Sequence, residues 1–321
     1  MQNEYKTLKS QVNNKIRTTK KEYFNGKFIA NRGNTSATWK VFHEIVPGKS
    51  KATDVSLAGN KVNELNSFFA NVGKNAFIKT QQDINEEVHN ITHNHTDRNL
   101  FRPQPTDACA IILTLKQLRD TNSYGSDGIP LKFIKDALPV IIPYLTCMIN
   151  TSIVTGVFPS TWKHAWITPI LKSGKPEDPS NYRPIALLPI LSKILEKIVA
   201  TQLMSYLESN NLLSSTQHGF RAGLSTTTAL TKISNRIYEN IDNKKVSLLT
   251  LCDLSKAFDS VCHKILIRKM YNTRIDSFWF EGYLSHRTQS VRIGGNESST
   301  LEISYGCPRD QFSDQFYSLN V

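Results

Sequence analysis

Residues 246–261 constrain the fold of this chain more than any other stretch, because they join an apolar, β-prone run to a carboxylate. Their sequence is V-S-L-L-T-L-C-D-L-S-K-A-F-D-S-V. The apolar run 246–252 follows a charged turn, D-N-K-K, and predicts a short strand that is buried in a sheet. Asp253 stands where this strand ends, and a carboxylate there is unfavourable unless it pairs, caps a turn or binds a cation.

An aromatic residue after this carboxylate gives the stretch its chemical interpretation. Phe258 lies five positions after Asp253, with Asp259 beside it. The string resembles the first catalytic motif of reverse transcriptases, in the variety carried by non-LTR (LINE-like) retrotransposons. The resemblance implies that Asp253 is catalytic and ligates Mg²⁺ in a two-metal phosphoryl transfer, and that Phe258 excludes the ribonucleotide 2′-hydroxyl. Taken alone, Asp253 is equally compatible with a cap at a strand-to-helix turn.

A second informative stretch is a predicted β-hairpin that starts at residue 162. The strand W-K-H-A-W-I-T-P-I-L-K-S-G-K, a polar turn and the strand Y-R-P-I-A-L-L-P place three cations, Lys172, Lys175 and Arg183, near the hairpin tip. Lysine offers a point charge and arginine a planar fork, and both suit a triphosphate. In the resembling family this hairpin closes over the incoming nucleotide, which implies nucleotide binding by Lys172 and Arg183. Solvated surface charges are the alternative for all three.

Two further strings resemble the same family and contain candidate contacts to a nucleic-acid template. Q-H-G-F-R-A-G-L-S-T begins at Gln217 and includes Arg221, and R-T-Q-S-V begins at Arg287. We interpret Gln217, Arg221 and Arg287 as residues that bind the template or its backbone, with Gln289 and Arg292 as further possible contacts. An Arg221 that bonds to backbone carbonyls, and a basic strand edge at 287–292, are the structural alternatives.

The N-terminal part of the chain is strongly basic. Residues 1–80 contain 14 Lys or Arg residues against 5 Asp or Glu, a net charge of +9 out of +12 for the whole chain. Helical spacing of apolar residues around Trp39 and in 61–78 predicts amphipathic helices. We interpret 1–80 as a basic helical connector of the kind that precedes the polymerase in the resembling family, and the polar segment 81–105 as a linker.

Residues 106–308 carry the remaining secondary-structure signals. Helical patterns are predicted at 111–118, at 189–208 and after the Ser/Thr cluster 225–228, where Leu230, Ile233 and Ile237 would face inward. Residues 131–155 predict apolar helical segments that Pro139 and Pro143 interrupt. We expect no apolar run in the sequence to be long enough to cross a membrane. The turn G-S-D-G-I-P before them and F-P-S-T-W-K after them resemble the N-terminal extension of the same polymerases.

The resemblance ends abruptly near the C-terminus. The family continues with G-V-P-Q-G-S-x-L-G-P and a pair of adjacent aspartates, whereas this chain continues with G-C-P-R-D-Q-F-S-D-Q-F-Y-S and contains no adjacent aspartates anywhere. Codons can be chosen for P-R-G-S-V-L-G-P-V-L-F-S such that one deleted base after Arg309 yields P-R-D-Q-F-S-D-Q-F-Y-S. We therefore interpret 309–321 as a frameshifted tail, and we expect negligible polymerase activity because a two-metal site would lack ligands.

These signals together predict an α+β fold with the fingers and an incomplete palm of a right-hand polymerase in 106–308. The predicted function is that of a reverse transcriptase domain fragment with Mg²⁺ as cofactor and RNA template, DNA primer and dNTPs as partners. A non-catalytic, sequence-nonspecific nucleic-acid-binding remnant is the alternative. Scattered cysteines without a C-x-x-C pair and a polar N-terminus predict an intracellular protein of nucleus and cytoplasm. We expect no membrane association, and the sequence contains no evidence for an obligate protein partner.

Overall fold

The computed structural model describes residues 2–45, 59–80, 100–118, 120, 123–172, 174–252 and 259–306. Residues 81–99 of the predicted linker and the predicted frameshifted tail 309–321 lie outside these residues. The chain divides into two compact units, 1–56 and 57–321. This division lies ahead of residue 80, so the last predicted helix of the connector belongs to the second unit.

The first unit consists of helices α1 (Gln2–Ala30) and α2 (Thr35–Ile45). The Asn34 side chain accepts a hydrogen bond from the backbone N–H of Ala37 and so caps α2. Lys27 pairs with Glu44 at 2.6 Å and joins the two helices. The helix predicted around Trp39 is therefore confirmed.

The second unit combines helices with one mixed sheet. Its described helices are α3 (Gly59–Thr80), α4 (Ala108–Gln117), α5 (Leu131–Thr155), α6 (Ile190–Ser209), α7 (Thr226–Asp242), α8 (His263–Asn272) and α9 (Phe278–Leu284). Its strands are β1 (His164–Leu171), β2 (Tyr182–Leu187), β3 (Arg287–Ile293), β4 (Asn296–Glu297) and β5 (Leu301–Ile303). The α+β class is confirmed.

The sheet is built around β1 and β3. Strands β1 and β2 form the predicted antiparallel hairpin, in which Ile170 pairs with Arg183. Strand β3 runs parallel to β1 and pairs antiparallel with both β4 and β5. Because β1 and β3 are neighbours, the sheet joins chain segments that lie more than 100 residues apart.

The larger hydrophobic core lies among the helices. Helix α6 contributes most to it, with Ile194, Leu195, Val199 and Leu203 fully or almost fully buried. Helices α4, α5, α8 and α9 pack their apolar side chains into the same cluster. The helix predicted at 189–208 is thus confirmed as a core element.

Helix α3 covers one face of the sheet. Its Val62 and Leu65 are buried in a second apolar cluster with Ala165, Ile167 and Val291 of the strands. The apolar face predicted in 61–78 is therefore confirmed, and it explains why α3 folds with the second unit.

Helix α5 passes without interruption through Pro139 and Pro143, where the sequence predicted breaks. Both prolines lie on the exposed side of the helix, where a carbonyl that lacks its N–H partner can bond to water. As a result, α5 is one continuous helix that is long and apolar enough to cross a membrane by length and composition alone. The expectation that no apolar run reaches this length was wrong, although side chains such as Ile149 lie in the core.

Residues 246–252 do not form the buried strand that their sequence predicts. Val246, Leu248 and Leu251 are 97%, 92% and 84% exposed. An apolar strand requires a neighbour that takes up its backbone hydrogen bonds, and the described strands pair only with one another. The prediction was wrong because it depended on a partner strand outside the segment itself.

Helix α7 begins as predicted but does not bury its apolar face. Ser225 and Thr228 form a reciprocal capping box at its first turn. Leu230, which was predicted to face inward, is 63% exposed, and no side chain of α7 is buried. Local capping and amphipathic spacing are sufficient for the helix, but not for its packing.

Candidate functional site

A cleft between helix α3 and the β1–β2 hairpin is the candidate functional site. It has a volume of about 270 Å³ and is lined by Phe68, Phe69, Val72, Lys172, Ser180, Tyr182, Arg183, Pro184 and Asp259. One wall is apolar and aromatic, whereas two cations and one carboxylate lie on the others. This combination suits a ligand that has both a flat apolar group and a negatively charged group.

The hairpin places the predicted nucleotide-binding cations in the cleft. The backbone N–H of Lys172 donates to the carbonyl of Asn181 at 2.9 Å, which closes the hairpin beside its polar turn. Lys172 and Arg183 are both exposed, and neither forms an ion pair with a described residue. Lys175 is also exposed but does not line the cleft. Two of the three hairpin cations are therefore available to an anion that enters the cleft.

Tyr182 connects these cations to the apolar wall. Its hydroxyl donates a hydrogen bond to the carbonyl of Pro176 at 3.0 Å. Burial raises the pKa of this phenol, and the Glu177 carboxylate raises it further. Tyr182 thus stays neutral and holds its ring in a fixed position at the cleft.

Helix α3 approaches the cleft closely because residue 73 is glycine. A Cβ atom there would overlap the carbonyl oxygen of Asp259 and would lie 2.6 Å from Cβ of Tyr305. Phe69 and Asp259 also line a smaller adjoining pocket of about 60 Å³. Gly73 therefore allows the aromatic wall and the Asp259 segment to meet.

The residues predicted to hold metal and to select the sugar, Asp253 and Phe258, lie outside the described residues. Asp259, which follows Phe258 in the sequence, reaches the cleft. Mg²⁺ requires several oxygen ligands, and the described part of the chain has no group of three or more His, Cys, Asp or Glu side chains placed to hold a metal ion. The donor set that the structure describes does not by itself fit a two-metal centre.

Arg221 bonds to its own loop and to the C-terminal end of helix α6. Its guanidinium donates to the carbonyl of Ser214 at 3.0 Å and to the carboxylate of Glu208 at 3.1 Å. A longer bond of 3.5 Å reaches the carbonyl of Gln217. The geometry favours the structural interpretation of Arg221, and it gives Gln217 a backbone role in the same loop.

Arg287 is fully buried, which corrects the expectation that it contacts a template. One guanidinium nitrogen, Nη2, lies 3.8 Å from Glu196, which is also buried. The charged group stacks 4.5 Å above the ring of Tyr283, and Nη1 donates to the Tyr283 carbonyl at 3.3 Å. A guanidinium with no solvent-exposed surface cannot bind a nucleic-acid backbone. The role of Arg287 is therefore to join α6 to α9 and β3.

The positive charge of Arg287 acts on two neighbouring basic groups. Burial lowers the pKa of Lys163, and the charge of Arg287 lowers it further. Burial is also the main cause that lowers the pKa of His263. In His263 a hydrogen bond with the Gly306 carbonyl opposes this effect, and the charge of Arg287 adds to it.

Gln289 and Arg292 also make contacts inside the sheet region. The amide of Gln289 donates to Oδ1 of Asn66 on α3 at 3.0 Å, and both side chains are buried. The guanidinium of Arg292 lies 4.5 Å above the Trp166 ring. Gln289 therefore fixes α3 to the sheet, which is not the template contact that its motif suggested.

Three cleft residues were given no binding role by the sequence. Tyr182 and Asp259 carry a weak signal, because each is adjacent to a predicted site residue, Arg183 and Phe258. Phe69 belongs to an amphipathic helix, and aromatic residues at that spacing more often pack in a core than stack on a base. Only the tertiary structure brings α3 to the hairpin.

Part of this chain matches a known protein family. Residues 170–309 match the family described as reverse transcriptase (RNA-dependent DNA polymerase). The matched region includes Arg183, Arg221 and Asp253, but it excludes α3, which forms the apolar wall of the cleft.

Several insect transposon proteins are similar to this chain. It is 34% identical over 203 residues to the probable RNA-directed DNA polymerase from transposon BS of Drosophila melanogaster, covering 62% of this chain and 22% of that protein. It is 30% identical over 208 residues to the corresponding protein from transposon X-element of the same species, covering 64% of this chain and 23% of that protein. It is 32% identical over 188 residues to the RNA-directed DNA polymerase from mobile element jockey, covering 58% of this chain and 20% of that protein. The chain thus spans about a fifth of the length of these relatives.

Proposed function

We propose that the cleft binds an incoming deoxynucleoside triphosphate. The reason is that the chain carries part of a reverse transcriptase domain similar to those of non-LTR retrotransposons. One observation carries this proposal: Lys172 and Arg183 line the same cleft as Asp259, the sequence neighbour of Phe258. The two cations would hold the triphosphate, and the aromatic wall would contact the base or the sugar.

The polymerase assignment extends this proposal to the rest of the second unit. The β1–β2 hairpin acts as the fingers, and the segment around Asp253 belongs to the palm. An RNA template and a DNA primer are the nucleic-acid partners of the intact enzyme. When bound, Mg²⁺ would neutralise charge on the reacting phosphate, and Asp253 is the residue that would contribute to holding it.

The 321-residue chain is proposed to bind nucleotide without incorporating it. Its sequence contains no two adjacent aspartates, so Asp253 has no such pair with which to share metal ions. Nucleotide binding depends mainly on the hairpin cations, so it does not require the aspartate pair. The phosphoryl-transfer reaction requires two metal ions at a fixed separation, so it is lost without that pair.

Binding of a fluorescent dATP analogue, followed by fluorescence anisotropy in Mg²⁺ buffer, tests the proposal. Substitution of Lys172→Ala and Arg183→Ala together removes two charged contacts, each worth about 1.5–3 kcal/mol, so that affinity should fall at least about a hundredfold. Lys175→Ala is the matched control, because this lysine lies on the same hairpin outside the cleft. Equal affinity of the double variant and the unaltered chain would refute nucleotide binding at this cleft.

A templated primer-extension assay on the same protein separates binding from chemistry. We expect no dNTP incorporation above that of an Asp253→Ala variant. Incorporation clearly above this control would contradict the proposed loss of activity, and it would leave the binding proposal intact.

A further inference from the structure

Helix α1 exposes an apolar stripe along most of its length. Every residue from 4 to 23 is exposed. Five apolar side chains, each between 50% and 64% exposed, lie within about 80° of one another around the helix axis: Tyr5, Leu8, Val12, Ile16 and Tyr23. Helices in proteins gain most of their stability from the packing of such a face, so α1 presents a surface that suits a partner.

A row of cations runs along one edge of this apolar stripe. Four basic side chains occupy the neighbouring sector of about 80°: Lys6, Lys9, Arg17 and Lys20. None of the four forms an ion pair with a described residue. Glu4, Lys15 and Glu22 lie on the other edge of the stripe, where the charge is net negative. The positive charge beside the stripe is therefore concentrated on one side.

Cation–aromatic contacts join cations to the stripe at both ends of the helix. Nζ of Lys9 lies 5.9 Å from the ring centroid of Tyr5, and Nζ of Lys27 lies 4.7 Å from that of Tyr23. Lys27 also pairs with Glu44 and so holds this end of α1 to α2. The two tyrosines are about 27 Å apart along the axis, at about 1.5 Å per residue. A ring and a cation thus lie side by side at each end of an extended surface.

We propose that α1 binds a single strand of RNA, with the phosphates along the cation row and the bases against the apolar stripe. A single strand carries its bases on one side of its backbone, so a cationic strip and an apolar strip that lie next to each other match its two sides. Tyrosine rings stack on bases of any sequence, and lysine and arginine neutralise phosphates. The choice of RNA rests on the proposed function, in which the template is RNA.

The arrangement of charges favours this partner over a duplex and over a membrane. The bases of a duplex are stacked inside it, so a duplex offers phosphates but no flat base faces to the stripe. An anionic membrane would have to take up the stripe together with its edge, where Glu4 and Glu22 would be repelled. Thr19 also lies within the stripe and narrows the apolar surface that a membrane requires.

Fluorescence anisotropy with a labelled, unstructured 12-nucleotide RNA and the 321-residue chain tests the proposal. Four phosphate contacts should weaken the affinity about fiftyfold between 50 mM and 200 mM salt. A 12-base-pair RNA duplex, anionic vesicles or single-stranded DNA of the same sequence serve as competitors. A competitor that binds more tightly than the RNA strand would assign the surface to that partner and overturn the proposal.

A comparison of two charge variants tests the cation row. Lys6→Gln with Lys20→Gln removes two cations from the row, so we expect at least tenfold weaker binding and about half the salt dependence. Lys15→Gln with Lys21→Gln is the matched control, because it removes the same charge from the same helix outside the row. We expect the control to bind within about threefold of the unaltered chain. Equal losses in both variants would refute the row.

Substitution of the tyrosines tests the stripe. Tyr5→Leu with Tyr23→Leu keeps the side chains apolar but removes the rings, and should weaken binding at least about fivefold. Tyr5→Phe with Tyr23→Phe keeps the rings and should bind within about twofold of the unaltered chain. Unchanged affinity of the leucine variant would refute base stacking on α1.

The dATP analogue separates this proposal from nucleotide binding at the cleft. The cleft is lined by residues of the second unit, so every α1 variant should bind the analogue as the unaltered chain does. A chain that fails to bind the analogue but binds the RNA strand in the expected way would refute the cleft and support α1. Loss of analogue binding in the α1 variants alone would show that they disturb the whole chain, and would overturn the assignment of the RNA contact to α1.

Discussion

Arg287 is a charged side chain without access to solvent, so its stability depends on the few groups that surround it. Its Nε and Nη2 atoms make no hydrogen bond to a described residue. The carboxylate of Glu196 and the ring face of Tyr283 therefore supply most of the compensation for its lost hydration. A buried charge of this kind can be tolerated only while its partner remains.

Replacement of Glu196 by leucine should consequently destabilise the protein strongly. The variant leaves an unpaired guanidinium in the core, which costs about 3–5 kcal/mol of the free energy of unfolding. Urea denaturation followed by circular dichroism measures this loss. A loss below about 1 kcal/mol would indicate that Arg287 reaches water in solution.

The double variant Glu196→Leu/Arg287→Met is the control for this prediction. Because it removes both charges, it should recover most of the lost stability. It also removes one of the causes that lower the pKa of His263, so the pKa of this imidazole should rise towards its ordinary value. NMR titration of the histidine measures that shift, and an unchanged pKa would mean that Arg287 does not act on His263.

Most helices and the β1–β2 hairpin were predictable because their signals are local. Asp107 caps α4, Ser225 caps α7 and Pro130 precedes α5, as the residue types indicate. The errors concern partners that lie far away in sequence. Residues 246–252 have strand propensity but no neighbouring strand, and α7 has an apolar face but no described element to cover it.

The candidate site, too, could be predicted from the sequence only where its signals are local. The cations of the hairpin, Lys172 and Arg183, were predictable because a turn between two strands places them at its tip. The wall that faces them was not, because the contact of Phe69 with this region depends on the packing of α3 against the sheet. Burial of Arg287 also depends on packing, and a motif resemblance contains no information about it.

Gly73 is the point where α3 meets the Asp259 segment, and its replacement tests this contact. A Gly73→Ala variant would bring its Cβ into the Asp259 carbonyl, so α3 must shift away. We expect a loss of about 1–3 kcal/mol in the free energy of unfolding. Affinity for the dATP analogue should fall as well, because the aromatic wall moves with α3.

Gly26→Ala provides the matched control in another helix. Gly26 lies inside α1, and a Cβ there would have no atom within 4 Å. Alanine should therefore favour the helix by about 0.5–1 kcal/mol. If Gly73→Ala behaved like Gly26→Ala in chemical denaturation, α3 would not pack closely on the Asp259 segment.

For the whole molecule, the folding unit is larger than the region that resembles a reverse transcriptase. The matched region begins at residue 170, inside β1 (His164–Leu171), and so it divides the strand at the centre of the sheet. Helices α4 and α5 contribute buried side chains to the main core, and α3 covers the sheet. The polymerase-like part therefore requires the residues before it in order to fold.

Two N-terminal truncations decide where this folding unit begins. A chain of residues 57–321 keeps α3 and should unfold in one cooperative transition. A chain of residues 81–321 loses the buried Val62 and Leu65, worth about 1.5–3 kcal/mol each, and leaves the partners of the Asn66 amide unsatisfied at about 1–3 kcal/mol. These losses approach the total stability of about 5–15 kcal/mol that is typical of a domain, so we expect a broad melt and poor solubility. Equal sharp melts for both truncations, measured by circular dichroism, would instead place α3 with the basic connector that the sequence predicted.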